Sequence, residues 1–308
     1  MAALRIGVHP NNLHLQLAAL TWPLRWPEIL LTPDGSPAVQ FVAYREGRDT
    51  GRLIADNVID VGGTGSTPPV LAQHDGVPLV YVAASAPRGG NGAIVVRAED
   101  GPANVTRLVG RRIALLDGSF HTSFLAAALE REGLSLRDVE RVELAPADAY
   151  RALSDGRVDA WIAMAPWLER VRNEPSQWRV LTDIGPYVPN RSVFWTHREA
   201  FHLHAAALDA VFAALTALGH DIARDPAPYA EQLAAAGISG ISESDAAAWQ
   251  SALAARDWRL LPSDAAFYAE QQGEADLLHR HGVLSHTIDI QQAAPPVPLN
   301  FSSTPHAH

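Results

Sequence analysis

From Leu4 to Thr196, short apolar runs of strand length alternate with stretches whose apolar residues recur at helical spacing. Ile6 to Val8 reads as a buried strand, and Leu13, Leu17 and Leu20 share one face of a helix over Asn11 to Leu20. A Pro-rich loop is expected at Trp22 to Pro37, a strand at Val39 to Tyr44, a helix at Thr50 to Asp56 and a strand at Ile59 to Val61. Pro69 to His74 then opens a helix and Leu79 to Ala84 a strand. This alternation predicts a parallel sheet covered by helices on both faces.

Ser85 to Gly92, rich in glycine, breaks the pattern and is expected to cross between domains. Beyond it the alternation resumes, with strands at Ala93 to Val96, Arg112 to Leu115, Val139 to Leu144, Asp159 to Met164, Val180 to Thr182 and Ser192 to Thr196. The intervening helices are Ser123 to Glu132 and Ala147 to Leu153. From Glu199 the pattern becomes helical, with amphipathic stretches at Ala205 to Ala223, Tyr229 to Ala235, Glu243 to Ala255 and Asp264 to His281. The expected fold is α/β: two doubly wound lobes, 1–88 with 196–308 and 89–195, hinged at two crossings, with a ligand cleft between them and a mainly helical C-terminal part. Residues 293–308, rich in Pro, Ser and His, are expected to form a flexible tail.

The two lobes share a framework. Leu53 to Asp60 reappears as Leu153 to Asp159: in each case a helix end, a turn residue and a β-branched strand opened by Asp. Ligands in such sheets sit outside the carboxyl ends of the strands, here after Val8, Val61 and Leu115. The second of these is the richest in chemistry. Ile59 to Pro69 gathers small residues that let a ligand approach the backbone, the hydroxyls of Thr64, Ser66 and Thr67 around Gly65, and a proline pair that starts a helix. After the first strand come His9, Asn11, Asn12 and His14, where the asparagines are either helix caps or ligand contacts. After the third, Gly118 permits a tight turn and Ser119 stands at a helix N-cap, followed by Phe120, His121 and Thr122. No Gly-x-Ser-x-Gly elbow surrounds Ser119 and His121, so the pair lacks a hydrolase signature. Trp161, Trp167 and Trp195 at strand ends are either core or cleft wall, and Arg88 and Arg191 beside the crossings offer guanidinium forks for an oxyanion.

Composition narrows the function. The chain of 308 residues has no cysteine, which removes disulfides, thiolate nucleophiles and sulfur-ligated metals. It has no lysine, so its 24 basic residues are all Arg and side-chain Schiff bases are excluded. A net charge of -10 without a basic run argues against nucleic acid. Thirteen histidines form no compact metal motif, and His279, His281, His306 and His308 lie in or near the expected tail, so neither metal nor cofactor is expected. No apolar run reaches the roughly 18 to 20 residues of a membrane span, and a strand is expected from Leu4 with no signal segment before it, so the expectation is either a cytoplasmic chain or one whose signal has been trimmed.

With these turns in view, the chain resembles the periplasmic aliphatic-sulfonate-binding proteins of ABC importers, within the nitrate, sulfonate, taurine and thiamine-precursor group. The resemblance rests on Leu4 to Gly7, Ile59 to Gln73, Gly76 to Val82, Leu108 to Ala114, Leu144 to Ala149, Gly156 to Trp161 and Val283 to Gln291. It implies a type II binding-protein fold and a monomer that traps a small organic anion, an alkyl or aryl sulfonate, for delivery to a membrane permease from the periplasm. It places anion contacts on Asn11 and Asn12, on Thr64 to Thr67, and on Ser119, His121 and Thr122; His14, Phe120, Trp167 and Arg191 complete the expected ligand set. Two departures leave the anion's identity open: Phe120-His121 replaces the family's small hydroxyl residues, and Ala165-Pro166-Trp167 replaces Asp-Pro-aromatic. The alternative is a cytoplasmic enzyme using His9, His14 or His121 as acid or base. An aromatic-sulfinate desulfinase shares the fold but uses a first-lobe Cys, which this chain lacks, and the Lys-bound cofactor of thiamine-pyrimidine synthases has no anchor here.

Overall fold

The computed structural model describes residues 3–25, 27–32, 35, 38–240 and 246–297. Residues 243–245 of the helix expected from Glu243, and 298–308 of the expected tail with His306 and His308, lie outside them. The first lobe opens with β1 (Leu4–Val8), α1 (Leu13–Arg25), β2 (Val39–Ala43), α2 (Thr50–Ala55), β3 (Val61–Thr64), α3 (Thr67–His74) and β4 (Leu79–Ser85). The second holds β5 (Ala93–Arg97), β6 (Arg112–Leu115), α4 (Phe120–Arg131), β7 (Glu140–Glu143), α5 (Pro146–Ser154), β8 (Ala160–Ala163), α6 (Trp167–Arg172) and β9 (Trp178–Asp183). The chain then returns through β10 (Val193–His197) to α7 (Arg198–Leu203), α8 (Ala205–Arg224), α9 (Ala227–Ala235), α10 (Ala246–Ala254), β11 (Leu260–Pro262) and α11 (Ala265–Arg280).

The sheets run β11-β4-β10-β3-β1-β2 and β7-β6-β8-β5-β9. They are mixed, where a parallel sheet was expected: β1 pairs in parallel with β2 and β3, but β10 and β11 run antiparallel to their neighbours, as does β5. The crossings explain this. A chain leaving β4 or β9 at its carboxyl end enters the facing lobe from the cleft side, so β5 and β10 run against the strands already there. Val193 to Trp195, assigned by the expected boundary to the second lobe, pair with β3 and β4 and so belong to the first sheet.

Several element ends differ from the sequence pattern. α1 continues through Trp22 and Pro23 into the expected loop, because Trp22 is fully buried and anchors the extra turn. β3 extends to Thr64, so Thr64 ends a strand instead of starting a turn. β11 lies in the part expected to be helical, and α8 spans 20 residues with a mean hydropathy of 1.3 over its most apolar window. By length and composition α8 is apolar enough to cross a membrane, contrary to the expected absence of such a run; half of that window is buried. Leu208, Phe212, Leu215 and Ile222 pack in the core with Trp22 and Phe194, which accounts for the apolarity.

The repeated framework has a geometric cause. In the first lobe Asp60 accepts from the Arg5 backbone N–H at 2.7 Å and from its Nε at 3.0 Å; in the second, Asp159 accepts from the Arg112 N–H at 2.9 Å and its Nε at 3.3 Å. The turn residues Asn57 and Gly156 both take left-handed φ, 55° and 71°, and their carbonyls accept from the same two arginines. Each Asp thus clamps the central strand to its neighbour. Asp60→Ala is expected to destabilise the fold by about 2 kcal/mol in chemical denaturation, since it leaves a buried backbone donor and a guanidinium unpaired.

Candidate functional site

A cavity of about 800 Å³, counting its mouth, opens between the two sheets at the carboxyl ends of their central strands. The first lobe contributes His9, Asn11, Thr64, Gly65 and Pro68, and the second Leu116, Ser119, Phe120 and Met164. The starts of α1, α3 and α4 all border it, so three sets of free backbone N–H groups lie around one space. Gly65 is where the lobes come close: a Cβ there would sit 3.2 Å from the Phe120 side chain. At the mouth, Arg48 pairs with Glu143 across the lobes.

The floor at the crossings carries the charge. Arg88 is buried; its Nε donates to the Asn190 carbonyl at 2.8 Å and its Nη2 to Asn190 Oδ1 at 3.1 Å. Arg256, in the loop between α10 and β11, stacks 4.7 Å over the Trp258 ring. Its Nη2 donates to Ser192 Oγ at 3.1 Å and to His14 Nδ1 at 3.3 Å, while its Nε is buried without a partner. Both guanidiniums line the cavity, and neither forms an ion pair among the described residues. Burial pushes Arg88 down to about 10, and burial together with the charge of Arg88 holds Arg256 well below the usual arginine range. Two like charges left uncompensated in a desolvated floor are costly unless an anion joins them.

The neighbouring histidines are neutral and serve as braces. His9 Nε2–H donates to the Gly63 carbonyl at 2.8 Å and Nδ1 accepts from Asn11 N–H at 3.3 Å; burial lowers its pKa to about 4. His14 donates from Nε2 to the Trp258 carbonyl at 3.3 Å, which leaves Nδ1 to accept from Arg256; burial and the two arginines keep its pKa well below normal. His121 Nδ1 accepts from Leu116 N–H at 3.1 Å, its Nε2 is buried without a partner, and burial lowers it to about 3.

Of the expected ligand set, Asn11, Thr64, Gly65, Ser119 and Phe120 line the cavity. The others fall behind it. Asn12, 1% exposed, accepts from Leu15 N–H and so takes the capping role. Thr67 donates to Glu274 at 2.5 Å and meets Ser123 at 3.1 Å, tying α3 to α4 and α11. Thr122 bonds Asp117 and the Gly118 N–H within the tight turn that Gly118 was expected to make, with φ 74°. Ser66 and Arg191 border a separate cavity behind the crossings, where Arg191 is held by Glu270 at 2.6 Å. Trp161 and Trp167 pack with Tyr150 in the core, and Trp195 donates to Thr64 Oγ1 at 3.1 Å. The aromatic walls of the cavity are instead Phe120 and Trp249. Arg256 and Trp249 carried no sequence signal, because Trp249 lies within α10 and Arg256 in the loop after it, in a part of the chain whose pattern showed no strand. Among the described residues no group of three His, Asp or Glu is placed to hold a metal.

Two α/β lobes joined by two crossings around a cleft with a cationic floor define the type II periplasmic-binding-protein class, and solved structures bear this out. The alkanesulfonate-binding protein SsuA from Xanthomonas axonopodis pv. citri, bound to MOPS, superposes with a TM-score of 0.80 at 27% identity, covering 96% of this chain and 98% of that one. The chain belongs to the NMT1/THI5-like family, which it matches over residues 38–226. A putative aliphatic sulfonates-binding protein of Escherichia coli K12 is 33% identical over 168 residues, 54% of this chain and 50% of the relative. The chain thus spans about half the length of the curated relatives it matches. The desulfurization enzyme DSZB shares the fold alone, at 16% identity and a TM-score of 0.62.

Proposed function

We propose that this chain is the solute-binding protein of an ABC importer, working in the periplasm to capture an organic sulfonate between its lobes and pass it to a permease. The observation that carries this is Arg88, buried, and Arg256, half-buried with its Nε enclosed, both lining the interlobe cavity without a carboxylate partner among the described residues. A sulfonate stays anionic throughout the physiological range, so guanidiniums and helix N-termini hold it without taking a proton from it or giving one to it. Phe120, Met164, Pro68 and Trp249 supply an apolar wall for its organic group. The names of the relatives point the same way.

The enzyme alternative loses its candidates: His9 and His14 have both ring nitrogens engaged, and His121 is buried away from the cavity. Calorimetric titration with alkyl and aryl sulfonates, taurine and nitrate tests the reading, and silence across that panel ends it. Binding should change by less than about twofold between about pH 6 and about pH 8, because the sulfonate stays anionic and burial keeps His9 and His14 neutral across that range. Recovery of the ligand unchanged after long incubation is the expected control.

A further inference from the structure

We propose that the cleft selects a zwitterionic sulfonate, with a protonated amine at the far end of the molecule resting against Glu46. The proposal rests on the sulfonate reading above and concerns the opposite end of the same cavity. The lining charges that lack an ion-pair partner are sorted by position, Arg48 being paired with Glu143. The positive floor, Arg88 and Arg256, lies at the crossings beside Ser192 and the start of β10. The carboxylates lining the cavity lie at its other end, Glu46 and Asp117 just past β2 and β6 and Glu143 at the end of β7.

Two of these carboxylates are already neutralised. Asp117 holds Arg141 at 2.8 and 2.9 Å, and Glu143 pairs with Arg48. Glu46 is different: it stands before the short turn at Gly47–Asp49, and its carboxylate caps nothing and has no other partner among the described residues. A lone carboxylate on the wall of an anion site would repel a simple alkanesulfonate. It becomes favourable when the ligand brings a cation to it.

The spacing suits such a ligand. Between β10 and β2 lie β3 and β1, so the floor and Glu46 are three strand steps apart, roughly 14 Å along the sheet. Side chains reaching in from both ends leave the span of a short alkyl linker, and Phe120, Pro68 and Met164 between them present the apolar surface its methylenes would need. The buried, unpartnered Nε of Arg256 marks the anionic end independently of Glu46.

The test is calorimetric titration of wild type and Glu46→Gln with aminopropanesulfonate and with butanesulfonate, which puts a methyl where the first has its ammonium. Wild type should prefer the amino compound by about tenfold, the size of one charge-assisted hydrogen bond. Glu46→Gln should bring that ratio close to one, weakening the amino compound and sparing or improving the alkyl one. Equal binding of the two by wild type, or a ratio unchanged in Glu46→Gln, overturns the proposal while leaving the sulfonate reading intact. Binding of neither by wild type overturns both.

Discussion

Replacing Arg256 by Met is expected to abolish ligand capture and stabilise the empty protein. Affinity should fall at least a hundredfold, about 3 kcal/mol, because the anion then faces a floor with half its charge and loses the guanidinium donors. Stability should move the other way, by about 1 kcal/mol. Arg256 Nε has no partner, its charge is desolvated, and Arg88 repels it across the cavity. A Met side chain keeps apolar contact with Trp258 and removes all three costs. Thermal melting of the ligand-free variant and calorimetry of the same sample read the two effects. Loss of both stability and binding would assign Arg256 to the core instead of to the ligand. Replacing Arg88 should weaken binding as much but lower stability, because its bonds to Asn190 help hold the first crossing.

The second large effect is acid sensitivity. His9, His14 and His121 are all held neutral by burial, with folded pKa values of about 4, well below normal, and about 3. The sign follows from proton counting. Above the unfolded value of about 6.5 both states are neutral and the groups contribute nothing to pH dependence. As pH falls below it the unfolded chain takes up protons that the folded chain refuses, so stability drops by up to about 1.4 kcal/mol per unit for each histidine. The drop ends only at the folded values, after on the order of 3 kcal/mol for His9 and 5 kcal/mol for His121. Glu169 and Glu274, raised by burial, oppose the trend at the lower end of the range. Asp60 and Asp159, depressed by their arginines despite partial burial, lose their contribution only at more acidic pH. Urea unfolding at about pH 7 and about pH 5 should therefore show a fall of several kcal/mol. His121→Gln, which can still accept from Leu116 N–H, should make that fall shallower. Equal stability at the two pH values would show that the histidines are hydrated.

Much of the fold was legible because its strands are short, apolar and separated by turn residues. The Leu53 to Asp60 and Leu153 to Asp159 repeat announced two equivalent lobes, and the structure shows why: in each an Asp at the start of one strand clamps an Arg on the strand beside it. Strand direction was not legible. An apolar run such as Val193 to Thr196 reads the same whichever way it is crossed, and only the path through the crossings reverses it.

The site was half legible for a related reason. Turns that follow strands mark themselves with Gly, Ser and Asn, so Asn11, Thr64, Gly65 and Ser119 were found from local spacing. Which hydroxyl faces the cavity and which ties helices together is set by the backbone's path from β3 into α3: Thr64, ending the strand, lines the cavity, while Thr67, starting the helix, turns to Glu274. Arg88 and Arg191 looked alike beside their crossings, and a carboxylate on α11 separates them, since Glu270 pairs with Arg191 while Arg88 bonds only neutral Asn190 among the described residues.

The chain's order of residues therefore determined the lobes, the turns at their strand ends and the absence of thiol or amine chemistry, because these depend on neighbours in sequence. Tertiary structure alone decided where the charge lies. Arg88, Arg256 and His14 are far apart along the chain, and the return of the C-terminal helices to the first lobe brings them to one floor. An uncompensated charge is a relation among distant side chains, and no local pattern encodes it.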